Sequence, residues 1–449
     1  MAGMTNTFVL DGSYRRHDRV VIAGSPLRLF RLSPAGCRIV EAIELGEPLP
    51  TGHSKLTDRL VDAGAIHPVP TESAFTAADV TIVVPSYNAK SSIDPSASQM
   101  IVVDDASDPP LASMPGRRTM RLPHNAGPAA ARNAGLAEVT TPLVAFVDTD
   151  VEVDDHWLDA LLPHFNDPRV ALVAPRVMSA EGATLIAAYE TARSPLDVGS
   201  QAGRIDAGSR IGYVPAAALV VRTEALRAIG GFDETMRTGE DVDMVWRLVE
   251  AGHRCRYEPA STVRHTPRAS FSGWARQRMT YGRSAALLDR KHPGAVAPLR
   301  VSGWSAAVWA LVLARRPVAA VAVAAGTTVA LHRKLGDLPK QEAARLAGLG
   351  HLFAGRQVAN TITRTWWPLA LVGAALLRRS RPMLLAAATV PALLDWYNGQ
   401  RPHDPVRYVA LRLADDVAYG TGVWIGVIEQ RKLGAVAPKF TNWPGRNAR

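Results

Sequence analysis

Five consecutive apolar residues, Leu143-Val144-Ala145-Phe146-Val147, run straight into Asp148-Thr149-Asp150. A run that is apolar at every position, rather than at alternate ones, predicts a strand covered on both faces, as in a parallel sheet. Residues i and i+2 of an extended segment point the same way, so Asp148 and Asp150 can converge on one object while Thr149 faces elsewhere. The object that suits paired carboxylates is a divalent cation. Mg2+ and Mn2+ take hard oxygen ligands, commonly one or two carboxylates completed by substrate phosphates and water. The same residues can instead cap the turn after a core strand, so their neighbours must decide.

The pattern of an apolar run closed by polar residues occurs twice upstream. Val80–Val84 ends in Pro85-Ser86-Tyr87-Asn88, and Ile101–Val103 ends in Asp104-Asp105-Ala106-Ser107. A parallel α/β sheet puts its site at the carboxyl ends of its strands, so the three endings build one crevice. There Asp104 or Asp105 can accept from a base N–H or hold a ribose hydroxyl. Asn125-Ala-Gly127-Pro-Ala-Ala-Ala-Arg132-Asn133 enters a helix, whose N-terminus offers free N–H groups to an anion. Arg132 can reach a phosphate or pin a strand-end carboxylate. Further on, Tyr213–Arg222 predicts a strand with a small-residue floor for a sugar, Gly230–Glu234 a turn, and Gly239-Glu240-Asp241-Val-Asp243 a helix start ending before Gly252. Acidic residues suit a helix N-terminus electrostatically; functionally, Asp241 is the candidate general base, with Glu240 beside it. His265 is a candidate third metal ligand.

With 449 residues the chain is too long for one core, which predicts two or three domains. A formal net charge of +10 predicts an anionic partner: nucleoside diphosphate, anionic lipid or nucleic acid. The two cysteines, Cys37 and Cys255, lie far apart without His or Cys at metal spacing, so neither a disulfide framework nor a zinc site is expected. The first residues lack the apolar core of a signal peptide, and a reducing cytosol fits.

Residues 1–72 predict a small winged-helix-like unit. Short strands at Phe8–Leu10 and Val20–Ile22 flank the polar turn DGSYRRHDR; a helix capped by Ser33 with Pro34 first follows, then a second over Ser54–Ala63 and a closing strand at Ala65-Ile66. Such a module can bind nucleic acid, take an extended peptide by strand addition, or only pack. It has no run of basic residues suited to a recognition helix, so no nucleic-acid partner is expected.

Beyond Pro293, apolar runs at Val301–Leu313, Val318–Leu331, Trp366–Leu377 and Met383–Leu394 are punctuated by Arg315-Arg316 and Arg378-Arg379-Ser-Arg381. Each is short of the roughly 20 residues that span a bilayer. Apolar segments with basic flanks predict attachment to an anionic cytoplasmic membrane surface.

PSYN at Pro85–Asn88, VVDDAS at Val102–Ser107, NAGPAAARNAG at Asn125–Gly135, DTD at Asp148–Asp150 and GGFDETMRTGEDVDMVWR at Gly230–Arg247 resemble, in order, the GT-A family 2 glycosyltransferases. The likeness covers roughly residues 79–293 and implies a GT-A, Rossmann-like mixed sheet with inverting transfer from a nucleotide-activated sugar. It further implies a donor site at Pro85, Tyr87, Asn88, Asp104, Asp105, Asn125, Gly127, Arg132, Asp148 and Thr149. Asp148, Asp150 and His265 would hold Mg2+ or Mn2+, and Asp241 with Glu240 would serve the acceptor. Two departures stand out. The connection from Asn88 to Ile101 is barely a dozen residues, so its helix should be a stub or missing, and Trp274-Ala-Arg-Gln277-Arg278 is only a loose echo of the QxxRW of processive synthases. FRLSPAGCRIVEAI at Phe30–Ile43 and KLTDRLVDAGAIHP at Lys55–Pro68 resemble PQQ-D-like peptide-binding modules. The combination, with a basic apolar region over residues 294–449, is similar to the mycofactocin-system glycosyltransferase family. That likeness implies β-linked glucose units passed from UDP-glucose to premycofactocin; a lipid or cell-wall glycan acceptor is the alternative.

Overall fold

The computed structural model describes residues 7–50, 52–89, 99–112 and 117–441. The short connection after Asn88 falls largely outside them. Two compact units emerge, one of residues up to Gly182 together with Arg193–Pro267, the other of Ala183–Ala192 with Arg268 onward.

The first unit begins with β1 (Thr7–Leu10), β2 (Arg15–His17), β3 (Val20–Ala23), β4 (Arg28–Arg31), α1 (Pro34–Leu45), α2 (Ser54–Asp62) and β5 (Ile66–Val69). Strands β1 and β5 pair antiparallel, and β2-β3-β4 form a three-stranded sheet. The segment expected to be only a polar turn thus holds β2. Its Arg15-Arg16-His17 has no apolar alternation, yet it pairs with Val20–Ile22, which supply the burial. Helix α1 starts as expected, with Ser33 Oγ accepting from Gly36 N–H, and ends at Gly46 in the left-handed conformation. Val21, Phe30, Ile39, Val40, Ile43, Leu60 and Ile66 make the core.

The large mixed sheet follows: β6 (Val80–Ser86), β7 (Met100–Asp104), β8 (Arg118–Arg121), α3 (Pro128–Glu138), β9 (Leu143–Val147), β10 (Val151–Glu152), β11 (Val170–Ser179), then α4 (Leu185–Arg193) of the other unit, β12 (Gly203–Arg204), β13 (Ala218–Arg222), α5 (Thr223–Ala228), α6 (Glu240–Glu250) and β14 (Arg254–His265). Strand order is β10-β14-β11-β13-β9-β6-β7-β8, with β12 on β14. β6 runs parallel to β7 and β9, whereas β13 is antiparallel to both β9 and β11, which makes the sheet mixed. β9 is fully buried along its length, as a run apolar at every position requires. The strand expected over Tyr213–Arg222 is confined to Ala218–Arg222; Pro215 cannot donate to a ladder, which is a physical reason for the late start.

The second unit is helical. It joins α4 to α7 (Phe271–Lys291), β15 (Arg300–Ser302), α8 (Gly303–Leu313), α9 (Pro317–Lys334), α10 (Lys340–Arg364), α11 (Trp367–Leu376), α12 (Arg381–Asn398), α13 (Pro405–Gln430) and β16 (Lys439–Thr441). Contacts therefore place α7 here rather than with the sheet, which differs from the sequence-based boundary at 293/294. Helices α7 and α13 lie backbone to backbone: a Cβ on Gly422 would meet Met279 O at 1.9 Å. Between them Arg278 bonds Asp415 (Nε to Oδ1, 3.0 Å) and Glu190, while Tyr189 donates to Asp415 Oδ2 (3.1 Å). The Trp274–Arg278 stretch is thus part of a buried polar lock. Asp416, on the same helix, accepts from Arg364 and Arg412.

Candidate active site

Because β6, β7, β9, β11 and β14 run parallel to one another within the mixed sheet, their carboxyl ends share one edge. Pro85, Tyr87, Asn88, Asp104, Asp105, Asp148 and His265 all stand at that edge or just past it. The chain turns after β9 through Thr149 and Asp150 into β10, whose Val151 pairs with His265. That pairing sets His265 Nε2 3.3 Å from Asp150 Oδ2.

Helix α3 delivers Arg132 beneath the same edge. Gly135 lets the helix lie on the sheet, since a Cβ there would sit 2.3 Å from Val83 Cγ1. Arg132 is buried, donates to Asp148 Oδ1 (2.7 Å) and to Glu240 Oε1 (2.7 Å), and lies over the Phe232 ring. Of the two roles open to it from sequence, it performs the pinning of a strand-end carboxylate. Glu240 and Asp241 open α6 behind Gly239, which has a positive φ of 81°. Asp241 Oδ1 accepts from its neighbour's N–H at Val242 (2.8 Å) and Oδ2 from Ala216 N–H (3.2 Å), so the residues before β13 aim it. Burial is the main influence pushing the Glu240 carboxyl up to about 7; Asp241's charge adds to it and Arg132 opposes. Burial also raises Asp241, with Arg132 pulling against it and Asp148 pushing further. A carboxylate that burial destabilises in this way is a stronger proton acceptor than one in water. Asp243, the third acid of the turn, is instead spent on Arg247 (2.7 Å), which also bonds Ile229 O and Gly231 O.

The part of the edge at the ends of β6 and β7 is built by loops. Asp105 accepts from Ala126 N–H (2.7 Å) and Gly127 N–H (2.9 Å), fastening the α3 entry to the end of β7. Asp104 accepts from Ser107 N–H (2.8 Å) and is paired with Arg121. Both carboxylates are buried, whereas Tyr87 presents 54% of its surface at the rim. Asn88 donates its N–H to Ser107 Oγ and accepts from Asp108 N–H, tying the β6 and β7 endings together. Arg237, which sequence reasoning passed over, donates to Asn125 Oδ1 (2.7 Å) and lies against Gly127. Its place inside the GGFDETMRTGED stretch was the available signal.

For a divalent cation the fit is partial. Among the described residues no group of three His, Cys, Asp or Glu forms a ready-made cage. The expected set of Asp148, Asp150 and His265 divides: Asp150 and His265 stand together, while Asp148 gives one oxygen to Arg132. A Mg2+ or Mn2+ ion that draws most of its shell from a diphosphate and water needs no more than one or two protein ligands, and this donor set suits it.

The model of glycosyl transferase family 2 matches residues 81–229. The pre-mycofactocin glycosyltransferase of Mycobacterium tuberculosis is 39% identical over 97% of this chain and 100% of its own. ExoU, a succinoglycan biosynthesis protein of Rhizobium meliloti, is 29% identical over 43% of this chain and 64% of its own. Among solved structures, a Pyrobaculum calidifontis mannosyltransferase in complex with GDP-Man and Mn2+ aligns with 79% of this chain and 90% of its own at a TM-score of 0.40 and 15% identity. On the full-length likeness to the tuberculosis protein, the chain belongs to the pre-mycofactocin glycosyltransferase family and is a glycosyltransferase of the family 2 type.

Proposed function

We propose that the protein passes glucose from UDP-glucose to premycofactocin with inversion, giving β-linked units, and that it needs Mg2+ or Mn2+. The observation that carries this reading is the gathering of Asp150 with His265, Asp148 with Arg132 and Glu240, and Asp241 at one sheet edge. Asp150 and His265, helped by Asp148, would hold the cation. When bound, it would offset the charge that develops on the departing diphosphate. Asp241 accepts the proton of the acceptor hydroxyl as the oxygen forms its bond to the anomeric carbon. The bond from that carbon to the diphosphate breaks on the opposite face, and the nucleoside diphosphate leaves with the electron pair. Arg132 keeps Asp148 and Glu240 in register and its positive charge under the edge where negative charge gathers. The chemistry requires no covalent protein nucleophile.

The test is mass spectrometry of the purified protein with UDP-glucose, premycofactocin and Mn2+, beside Asp241→Asn. Hexose additions that vanish in the variant support donor, acceptor and base together. Hydrolysis of UDP-glucose without additions would overturn the acceptor and favour a lipid or glycan.

We further propose that the helical unit rests on the anionic inner face of the cell membrane. Helix α11 is apolar throughout yet has no buried residue, and α8 buries only Ser305 and Val308. Arg315 donates to Arg379 O (3.0 Å), which brings the two arginine-bearing turns side by side. No helix among the described residues is long and apolar enough to cross a membrane, so interfacial contact is the mode proposed. Co-sedimentation with vesicles containing 30% phosphatidylglycerol, lost on Arg315→Glu/Arg379→Glu, checks it; equal binding to neutral vesicles refutes it.

A further inference from the structure

Strand β14 carries Arg254, Arg256 and Glu258 on one side, at every second residue. That side faces α2 and the turn of 3-10 helix at Leu162–Asn166. Arg254 is fully engaged there, donating to Asp62 Oδ1 (2.7 Å) and Asp167 Oδ2 (2.6 Å). Arg256 is different: it is only 4% exposed, its Nε has no hydrogen-bond partner, and no ion pair reaches it among the described residues. The carboxylates nearby are committed elsewhere. Asp167 serves Arg169 and Arg254, Asp62 serves Arg254, and Glu258 accepts from His164 Nε2 (3.0 Å) and Ala260 N–H (3.0 Å). Burial lowers the guanidinium's affinity for its proton to about 10, with Glu258 opposing, so it is still charged at neutral pH.

A buried cation without a partner is rare, because ions leave water only when something compensates them. Arg256 lines a cavity of about 300 Å³ whose other walls include Phe8, Pro68 and Pro70 and, from the start of α2, His53, Ser54 and Thr57. Phe8 and Pro68 are cross-strand neighbours on the β1–β5 pair and make that wall apolar. Helix α2 begins without a side-chain cap: Leu56 and Thr57 donate their N–H groups to His53 O, and the positive end of the helix lies at the cavity wall. Asp58 and Asp167 also line the cavity but are paired with Arg169 and Arg254, so two positive sources and an apolar wall remain, which suits an anion borne on an apolar body. A phosphate would be better served by several donors free to surround it, and here Arg169 and Arg254 are already paired.

We infer that the seam between the N-terminal module and the transferase sheet is a binding site for an organic carboxylate with an apolar body, held by Arg256 and the start of α2. The carboxylate can belong to a free small molecule or to the acidic end of an extended peptide lying along the β1–β5 pair. The site is independent of the sugar-transfer edge and of which acceptor is used there.

The test uses the full chain and three probes observed by saturation-transfer NMR and calorimetry: N-acetylphenylalanine, its amide, and an acetylated pentapeptide ending in a phenylalanine carboxylate. Both carboxylates should bind, and the amide should not. Arg256→Gln should weaken carboxylate binding at least tenfold while leaving hydrolysis of UDP-glucose unchanged, which separates this site from the transfer site. Tighter binding of the pentapeptide assigns the natural ligand to a peptide, and equal binding to a small molecule. Because Arg256 loses no partner, Arg256→Met should melt no lower than the unaltered protein. Absence of carboxylate binding by the unaltered protein, equal binding of the amide, unweakened binding in Arg256→Gln, or a lower melting point of Arg256→Met each overturns the assignment.

Discussion

Arg132→Met is the perturbation with the clearest arithmetic. Arg132 holds Asp148 and Glu240 at 2.7 Å each, and Glu240 is 6% exposed. Removing the guanidinium leaves two carboxylates facing each other across the gap, with Asp241 adding a third charge nearby. Breaking a buried ion pair from one side costs about 3–5 kcal/mol. For a unit of this size that is a fall in melting temperature of roughly 6–20 °C. Arg132→Met/Glu240→Gln removes one stranded charge and keeps the shape, so the double variant should recover at least ~1 kcal/mol relative to the sum of the singles. Circular dichroism melts of the four proteins at pH 7.5 complete the cycle. A single variant within 2 °C of the parent, or strictly additive losses, would refute the view that Arg132 acts by neutralising these acids.

Other outcomes follow from the same structure. Gly135→Ala should destabilise by about 1–3 kcal/mol although alanine is the better helix former, because the new methyl meets Val83 at 2.3 Å; urea denaturation reads it. Asp11 is raised by burial but lowered more by bonds from His67 and Ser13, and lies at about 2 instead of 3.8. Its stabilisation, roughly 2 kcal/mol, is therefore complete above pH 4 and lost as pH falls towards 2, so the melting gap between the protein and Asp11→Asn should close across that window. If the cation reading holds, excess EDTA should abolish UDP-glucose turnover and added Mn2+ restore it. His265→Ala should then raise the Mn2+ concentration for half-maximal rate about tenfold or more; an unchanged requirement would count against His265 as a ligand.

The strand endings were legible because a fully buried parallel strand is apolar at every position, and its first polar residue marks where it leaves the sheet. Asp148 and Asp150 could be placed at an edge by that rule, whereas His265 closes β14, whose RCRYEPASTVRH is not an apolar run, and only the family likeness pointed to it. What could not be read was which acids share a partner. Arg132 and Glu240 are 108 residues apart and Asp241 and Ala216 are 25 apart, and no local pattern encodes such pairings. Strands β2 and β8 escaped notice for a related reason. RRH and RTMR are charged segments that border their sheets, so their pairing is set by the neighbouring strand and not by their own pattern. Asp415 joins a lock whose other members lie on α4 and α7, and nothing in the local pattern of α13 signals those distant partners.

That lock has a consequence for the order in which the protein is made. Tyr189 and Asp415 are separated by 226 residues, with the last strands of the transferase sheet synthesised between them. At about 5–20 residues per second, α4 emerges roughly 10–45 s before α13. Through that interval Ile186, Tyr189 and Glu190, all destined for burial, have none of their α13 partners. A nascent chain stalled after Pro267 should therefore display α4 to chaperones and proteases, and the released full-length chain should hide it.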